Sequence, residues 1–105
     1  MTKLSKDPKW VRADTMFAKK NTEADFALIG IPTHKTSLSP TSAHLTPAAV
    51  REALTRYSTF ASSTNIDLRH LTCTDLGDIT NPDGDAGEVR VASALKGLLK
   101  KHKLV

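Results

Sequence analysis

The sequence predicts an α/β fold: a partial three-layer αβα arrangement with a short parallel sheet, built in the order strand, helix, strand, helix. Three observations carry this. Residues 26–31, Phe26-Ala27-Leu28-Ile29-Gly30-Ile31, are a continuous apolar run rather than an alternating one. Strands buried on both faces read this way, which is the habit of parallel sheets covered by helices. Residues 46–61 then place Val50, Ala53, Leu54, Tyr57 and Ala61 at three- and four-residue spacing, the apolar stripe of an amphipathic helix. A second apolar segment at 68–76 and a second helical stripe at 86–101 repeat the alternation.

In chain order, residues 1–22 are polar and lysine-rich, with scattered apolar anchors Leu4, Trp10, Val11, Met16 and Phe17, and Pro8 interrupts any early helix. Trp10 is placed to pin this arm onto its own domain or onto a neighbouring subunit. Pro32 ends the first strand because proline has no N–H for the ladder. The loop over 33–45 is long for a compact domain, and loops of this length are often functional. It leaves the carboxyl end of a strand, where open α/β sheets take their ligands, and is therefore the best site-lining segment of the chain.

Thr46 and Pro47 open the first helix as N-cap and first helical residue. Arg51, Glu52, Thr55 and Arg56 take its outer face, and Ser62-Ser63-Thr64-Asn65 ends it. The second strand, 68–76, buries Leu71, Cys73 and Leu76. Gly77 and Asp78 turn the chain, and Asn81-Pro82-Asp83-Gly84-Asp85 is a loop. Asp85 caps the final helix, whose apolar face is Val91, Ala94, Leu95, Leu98 and Leu99. Glu88 near its start and the lysines near its end suit the helix dipole.

Composition narrows the function classes. At 105 residues, 39% hydrophobic and 25% charged, the chain is one small domain or a piece of one. The net charge of +4 comes from an N-terminal group of lysines and from Lys96, Lys100, Lys101 and Lys103, without an arginine-rich run or an RNA-binding aromatic pattern. Nucleic-acid binding is therefore not expected. The single Cys73 excludes an internal disulfide and reads as a buried strand residue. No secretory leader and no membrane span is visible, so the expected location is cytoplasmic and no membrane partner is expected.

No catalytic constellation is visible either. None of His34, His44, His70 and His102 has metal-binding spacing with another ligand. His34 and His44 share the loop after the first strand, which leaves a joint role open beside that of exposed loop histidines, and His102 among lysines reads as solvated. Asp75, Asp78, Asp83 and Asp85 suggest a calcium loop, but an EF-hand counted from Asp83 puts Glu88 at the glycine position and Ala94 at the bidentate glutamate. Turn and capping chemistry explains these aspartates better. Gly77 and Gly84 are isolated, so no phosphate loop is formed.

Three stretches taken together, Leu28-Ile29-Gly30-Ile31-Pro32, then Thr46-Pro47-Ala48-Ala49-Val50-Arg51-Glu52-Ala53-Leu54, then Asp75-Leu76-Gly77-Asp78, resemble the opening of the ureohydrolases, the arginase/agmatinase/formimidoylglutamase superfamily. The family pattern is apolar-Gly-apolar-Pro, a polar loop, Gly-Pro-x-x-Ile-Arg and Asp-x-Gly-Asp; Thr46 stands where Gly is usual, and Ser37-Leu38-Ser39-Pro40 departs from the Arg-Pro-Gly of agmatinases. The resemblance implies an N-terminal arm at 1–23 and, at 24–105, the N-terminal part of an arginase-like fold. It also implies a parent enzyme that hydrolyses guanidinium or amidine C–N bonds with two Mn²⁺ and a bridging hydroxide.

The family draws its metal ligands from Gly-Gly-Asp-His, Asp-Ala-His-x-Asp and Asp-x-Asp-x-x-Asp-Pro segments, none of which occurs here. No catalytic, cofactor-binding or metal residue is therefore assigned, and the 105 residues alone are expected to be inactive and to hold no cofactor. A two-strand layer should expose a sheet edge, so the expected partner is a second copy or a full-length relative, with a small guanidino or amidine substrate only in the parent. The alternative is a short non-catalytic interaction module that pairs through that edge.

Overall fold

The computed structural model describes residues 11–17 and 23–104. Trp10 and Leu4, named above as anchors of the arm, lie outside them. The described chain runs through a 3₁₀ turn at Ala13–Phe17, strand β1 at Phe26–Gly30, a 3₁₀ turn at Ala43–Leu45, helix α1 at Thr46–Leu54, strands β2 at Phe60–Ala61 and β3 at Ile66–Asp67, a 3₁₀ turn at Leu68–His70, strand β4 at Cys73–Asp78, helix α2 at Gly84–Leu98 and strand β5 at Lys103–Leu104.

β1 is the centre of a parallel sheet in the order β4-β1-β5, and β2 and β3 form a separate antiparallel hairpin. The apolar run thus becomes the central strand, and Ala27 and Leu28 are buried, as are Ala24 before it and Cys73 on β4. The α/β class and the parallel pairing match expectation, and β1 ends at Gly30, one residue before Ile31.

Four expectations about elements are corrected. The first helix stops at Leu54 rather than running to Ala61. Residues 57–59 pair with the N-terminal segment instead: the Ala13 amide donates to the Tyr57 carbonyl at 2.7 Å, and the Thr59 amide to that of Val11 at 3.1 Å. Arg12 Nη1 also donates to the Thr55 carbonyl at 2.9 Å, where the helix ends. Thr55, Tyr57, Ser58 and Thr59 are weak helix formers, so this tertiary pairing wins easily. Thr46 is the first helical residue and not the N-cap, because the Ala43–Leu45 turn runs straight into the helix with Leu45 at its cap position.

The second strand starts at Cys73, five residues later than expected. Asp67 accepts the Arg69 amide at 3.0 Å and folds Leu68–His70 into a 3₁₀ turn, which leaves Leu71 exposed. The last helix starts at Gly84 with Asp83 in the cap position, rather than being capped by Asp85. Val91, Ala94, Leu95 and Leu98 are half-buried as its inner stripe, whereas Leu99 is 61% exposed.

The sheet is also wider than two strands. After α2 the chain returns to pair with the other side of β1, Phe26 opposite Lys103 and Ala27 opposite Leu104. This return buries His102, which is only 7% exposed; its ring Nδ1 donates to the Ala24 carbonyl. The reading of His102 as solvated is thereby overturned: its neighbours Lys101 and Lys103 face water while the ring plugs the start of β1. Among the described residues no helix is long and apolar enough to cross a membrane.

Candidate functional site

β1 and β4 run parallel, so their carboxyl ends lie together. The register is regular from Phe26/Cys73 to Leu28/Asp75 and then slips, so that Gly30 faces Asp78. β4 therefore takes three steps where β1 takes two, a bulge. Gly77 supplies the conformation it needs, with φ +77°, where a side chain would be strained. In a regular strand residues 75 and 78 would point to opposite faces. The bulge reverses the alternation and turns both aspartates toward α1.

Arg51 of α1 meets them there. Its Nε donates to Asp75 Oδ2 at 2.8 Å, its Nη2 to Asp75 Oδ1 at 3.0 Å, and its Nη1 to Asp78 Oδ1 at 2.7 Å. The two-pronged bond to Asp75 uses the planar fork that distinguishes arginine from lysine. The Gly77 amide also donates to Asp75 Oδ1 at 2.9 Å, so both oxygens of that carboxylate are occupied. Hydrogen bonds from Arg51 hold the Asp75 carboxyl below the usual carboxylate range against the opposing effect of burial, and Asp75 and Asp78 raise the guanidinium further above its usual value.

Gly30 completes the contact. A Cβ at this position would lie 1.8 Å from Asp78 Oδ1 and 2.9 Å from Pro47 Cβ. Glycine is required here because the Asp78 carboxylate crosses β1 to reach the helix. The placement of Arg51 on the outer helix face is thus corrected: its side chain is 26% exposed and is drawn down onto the sheet ends. The cluster is a structural clamp, with its charges already paired.

Beside the clamp, an apolar cleft of about 320 Å³ opens between β1 and the first turns of α1, lined by Ile29, Ile31, Pro47 and Val50 among others. The 33–45 loop leaves the same end of β1. Asp83, at the start of α2, accepts the backbone amides of His34 and Lys35, both at 2.8 Å, on its Oδ1. Its Oδ2 lies 3.7 Å from His34 Nδ1. Burial works against the charge of Asp83, but the two amides and the charges of His34 and Lys35 outweigh it and hold the carboxyl below its ordinary value.

The ring of His34 stacks on that of His44, with centroids 4.0 Å apart and planes tilted by 33°. The structure thus brings together the two loop histidines singled out from the sequence; the Nδ1 atoms of both are buried without a hydrogen-bond partner. His70 is exposed elsewhere. The aspartate cluster divides between two tasks, Asp75 and Asp78 on Arg51 and Asp83 on the loop, while Asp85 sits exposed in the first turn of α2. Among the described residues no three His, Cys, Asp or Glu side chains are grouped so as to hold a metal ion.

The three sequence stretches around Gly30, Arg51 and Asp75–Asp78 are therefore one contact in space. Residues 24–105 match the model of the arginase family over the same stretch. The chain belongs to the arginase family. It is 35% identical over 80 residues to a formimidoylglutamase of Halalkalibacterium halodurans, a match covering 74% of this chain and 25% of that protein.

In three dimensions it resembles the formimidoylglutamase of Bacillus subtilis, with a TM-score of 0.82 at 24% identity over 98% of this chain and 34% of that one, which bears on the fold alone. It also resembles a Mn²⁺-containing formiminoglutamase of Trypanosoma cruzi, with a TM-score of 0.78 at 26% identity over 91% of this chain and 35% of that one. The chain thus spans about a quarter to a third of these relatives.

Proposed function

We propose that these residues are the opening part of a ureohydrolase of the formimidoylglutamase type, a Mn²⁺-dependent enzyme that hydrolyses the C–N bond of a formimidoyl or related amidine group. The observation that carries this reading is the Arg51 clamp, which ties the family's three short patterns into one structural unit at the sheet's carboxyl edge. The relatives named formimidoylglutamase support that substrate class over arginine or agmatine.

Among the described residues the two Mn²⁺ ions of such an enzyme find no fit. Both oxygens of Asp75 are engaged by Arg51 and Gly77, and Asp83 Oδ1 is engaged by two amides. The role of this segment is architectural: it positions α1, the 33–45 loop and the central strand for metal-bearing segments of the same fold. Alone it is inactive.

The test is to assay the chain for release of glutamate from N-formimidoyl-glutamate with millimolar Mn²⁺. The same assay is run with the remaining three-quarters of the Halalkalibacterium relative, supplied as a separate chain. Activity only in the mixture supports the reading. Hydrolysis by the chain alone, or a saturable rise in melting temperature with Mn²⁺, overturns the architectural role.

A second reading has its own observation. Val50, Phe60, Ile66, Val89 and Leu99 are between 45% and 65% exposed, apolar side chains that a partner could cover. They support a non-catalytic module that associates with a full-length relative or with itself, and the outer edge of β5 offers a strand for that pairing. Sedimentation of the chain alone and with the relative distinguishes this from the first reading.

A further inference from the structure

Asp83 holds an unusual position. It sits at the cap position of α2, with φ −82° and ψ 153°, the extended backbone of an N-cap residue, yet its side chain makes no capping bond. An aspartate there ordinarily accepts an amide of the first helical turn. Here the carboxylate is turned away and holds the amides of His34 and Lys35. Two left-handed residues flank it, Asn81 with φ 49° and Gly84 with φ 75°, so the segment that carries it is sharply turned on both sides.

The loop it holds is tied at its base and free at its tip. At one end are the two Asp83 bonds; at the other, His44 stacks on His34. Between them, residues 35–43 are exposed throughout, and Leu38 at the tip shows its whole side chain to solvent. Within this stretch the hydrogen bonds are local, from the Ser37 amide to the His34 carbonyl at 3.2 Å and from the Ala43 amide to Thr41 Oγ1 at 3.2 Å.

We propose that residues 35–42 form a hinged strap leaving the carboxyl edge of the sheet, and that Asp83 is its latch, exchanging between the amides of His34 and Lys35 and the first-turn amides of α2. The exchange spares the carboxylate the cost of being left bare, because it trades one set of N–H donors for another. The same edge is where open α/β sheets take ligands, so release of the strap changes access to that edge. That last step rests on the proposed function; the latch does not. Asp83 is a positioning residue in this scheme and touches no reacting atom.

The test is made on the full chain by NMR. In the unmodified protein, relaxation dispersion is expected at the amides of His34 and Lys35 and at Asp85 and Ala86, with one shared exchange rate. In Asp83→Ser the short side chain still caps a helix but falls short of the strap. Amide hydrogen exchange at His34 and Lys35 should then accelerate at least tenfold, with α2 amides changed less than threefold and the dispersion at Asp85 and Ala86 abolished. Asp83→Asn keeps an acceptor and should fall between the two. Unchanged protection of His34 and Lys35 in Asp83→Ser overturns the latch, as does exchange in the loop without matching exchange at Asp85 and Ala86. Because no hydrolysis is measured, failure here leaves the proposed reaction untouched.

Discussion

The Arg51 clamp makes a quantitative prediction about Gly30. An alanine Cβ there would meet Asp78 Oδ1 at 1.8 Å, Asp78 Cγ at 2.8 Å and Pro47 Cβ at 2.9 Å. The first two belong to the end of a side chain, so Asp78 can swing aside, but only by releasing Arg51. With Asp78 43% exposed, the lost ion pair is worth about 0.5–1.5 kcal/mol after solvent screening. Displacing Pro47 adds about 0.5–1 kcal/mol, and removing a glycine from the unfolded chain returns about 0.4–1 kcal/mol. Gly30→Ala should therefore destabilise by about 1 kcal/mol, a fall of roughly 4–8 °C in melting temperature for a chain of this size.

The decisive comparison is a double-mutant cycle with Asp78→Ala, read from urea midpoints. Asp78→Ala alone should cost about 1 kcal/mol. In that background the carboxylate is gone, so Gly30→Ala should cost roughly nothing, leaving a coupling energy of about 1 kcal/mol. An equal cost of Gly30→Ala in both backgrounds would refute the idea that this glycine exists to let Asp78 cross β1.

Arg51→Lys keeps the charge but loses the fork and should cost about 1–2 kcal/mol in urea unfolding. Because the folded Asp75 carboxyl titrates below its ordinary 3.8, the unfolded chain takes up that proton first on acidification. The stabilisation is present above about pH 4 and is lost as pH falls through the folded value, and Arg51→Gln should flatten this part of a pH 6 to 2.5 stability profile. In α2, Gly87→Ala should destabilise by about 1–3 kcal/mol despite its better helix propensity, because the new Cβ would sit 2.2 Å from the Pro82 carbonyl carbon and oxygen, which are backbone. Gly97→Ala, with nothing within 4 Å, should stabilise by about 0.5–1 kcal/mol, and thermal melts of the two variants check the contrast. His102→Ala should cost about 2 kcal/mol, since the ring is buried and bonded to Ala24, whereas Lys101→Ala should stay within about 0.5 kcal/mol.

What could be read from the sequence, and what could not, follows from the range of each interaction. β1 was legible because continuous burial leaves its mark residue by residue, from Phe26 to Gly30. α2 was legible for the same kind of reason, in the spacing of Val91, Ala94, Leu95 and Leu98. The end of α1 was not: residues 55–61 continue a weak helical stripe, and only the distant Val11–Ala13 segment, pairing with Tyr57 and Thr59, pulls them out of it. His102 was misread by its lysine neighbours, because its burial depends on β5 returning to β1 across more than seventy residues, a contact invisible to local charge pattern.

The clamp is the instructive intermediate case. Its residue types were visible as separate family patterns, but alternation in a regular strand would put Asp75 and Asp78 on opposite faces and leave Arg51 only one partner. The extra residue at Gly77 changes that parity, and parity is set by a left-handed glycine rather than by any charged side chain. The glycine inverts the inference: the Asp-x-Gly-Asp spacing at 75–78 demands a bulge if both carboxylates are to serve one cation, and Arg51, the sixth residue of the adjacent crossover helix, is then the natural candidate for that cation. On this argument Gly77→Ala should do more than strain one residue at φ +77°. It should penalise the bulge itself and so release Asp78 from Arg51, making its cost largely redundant with that of Asp78→Ala.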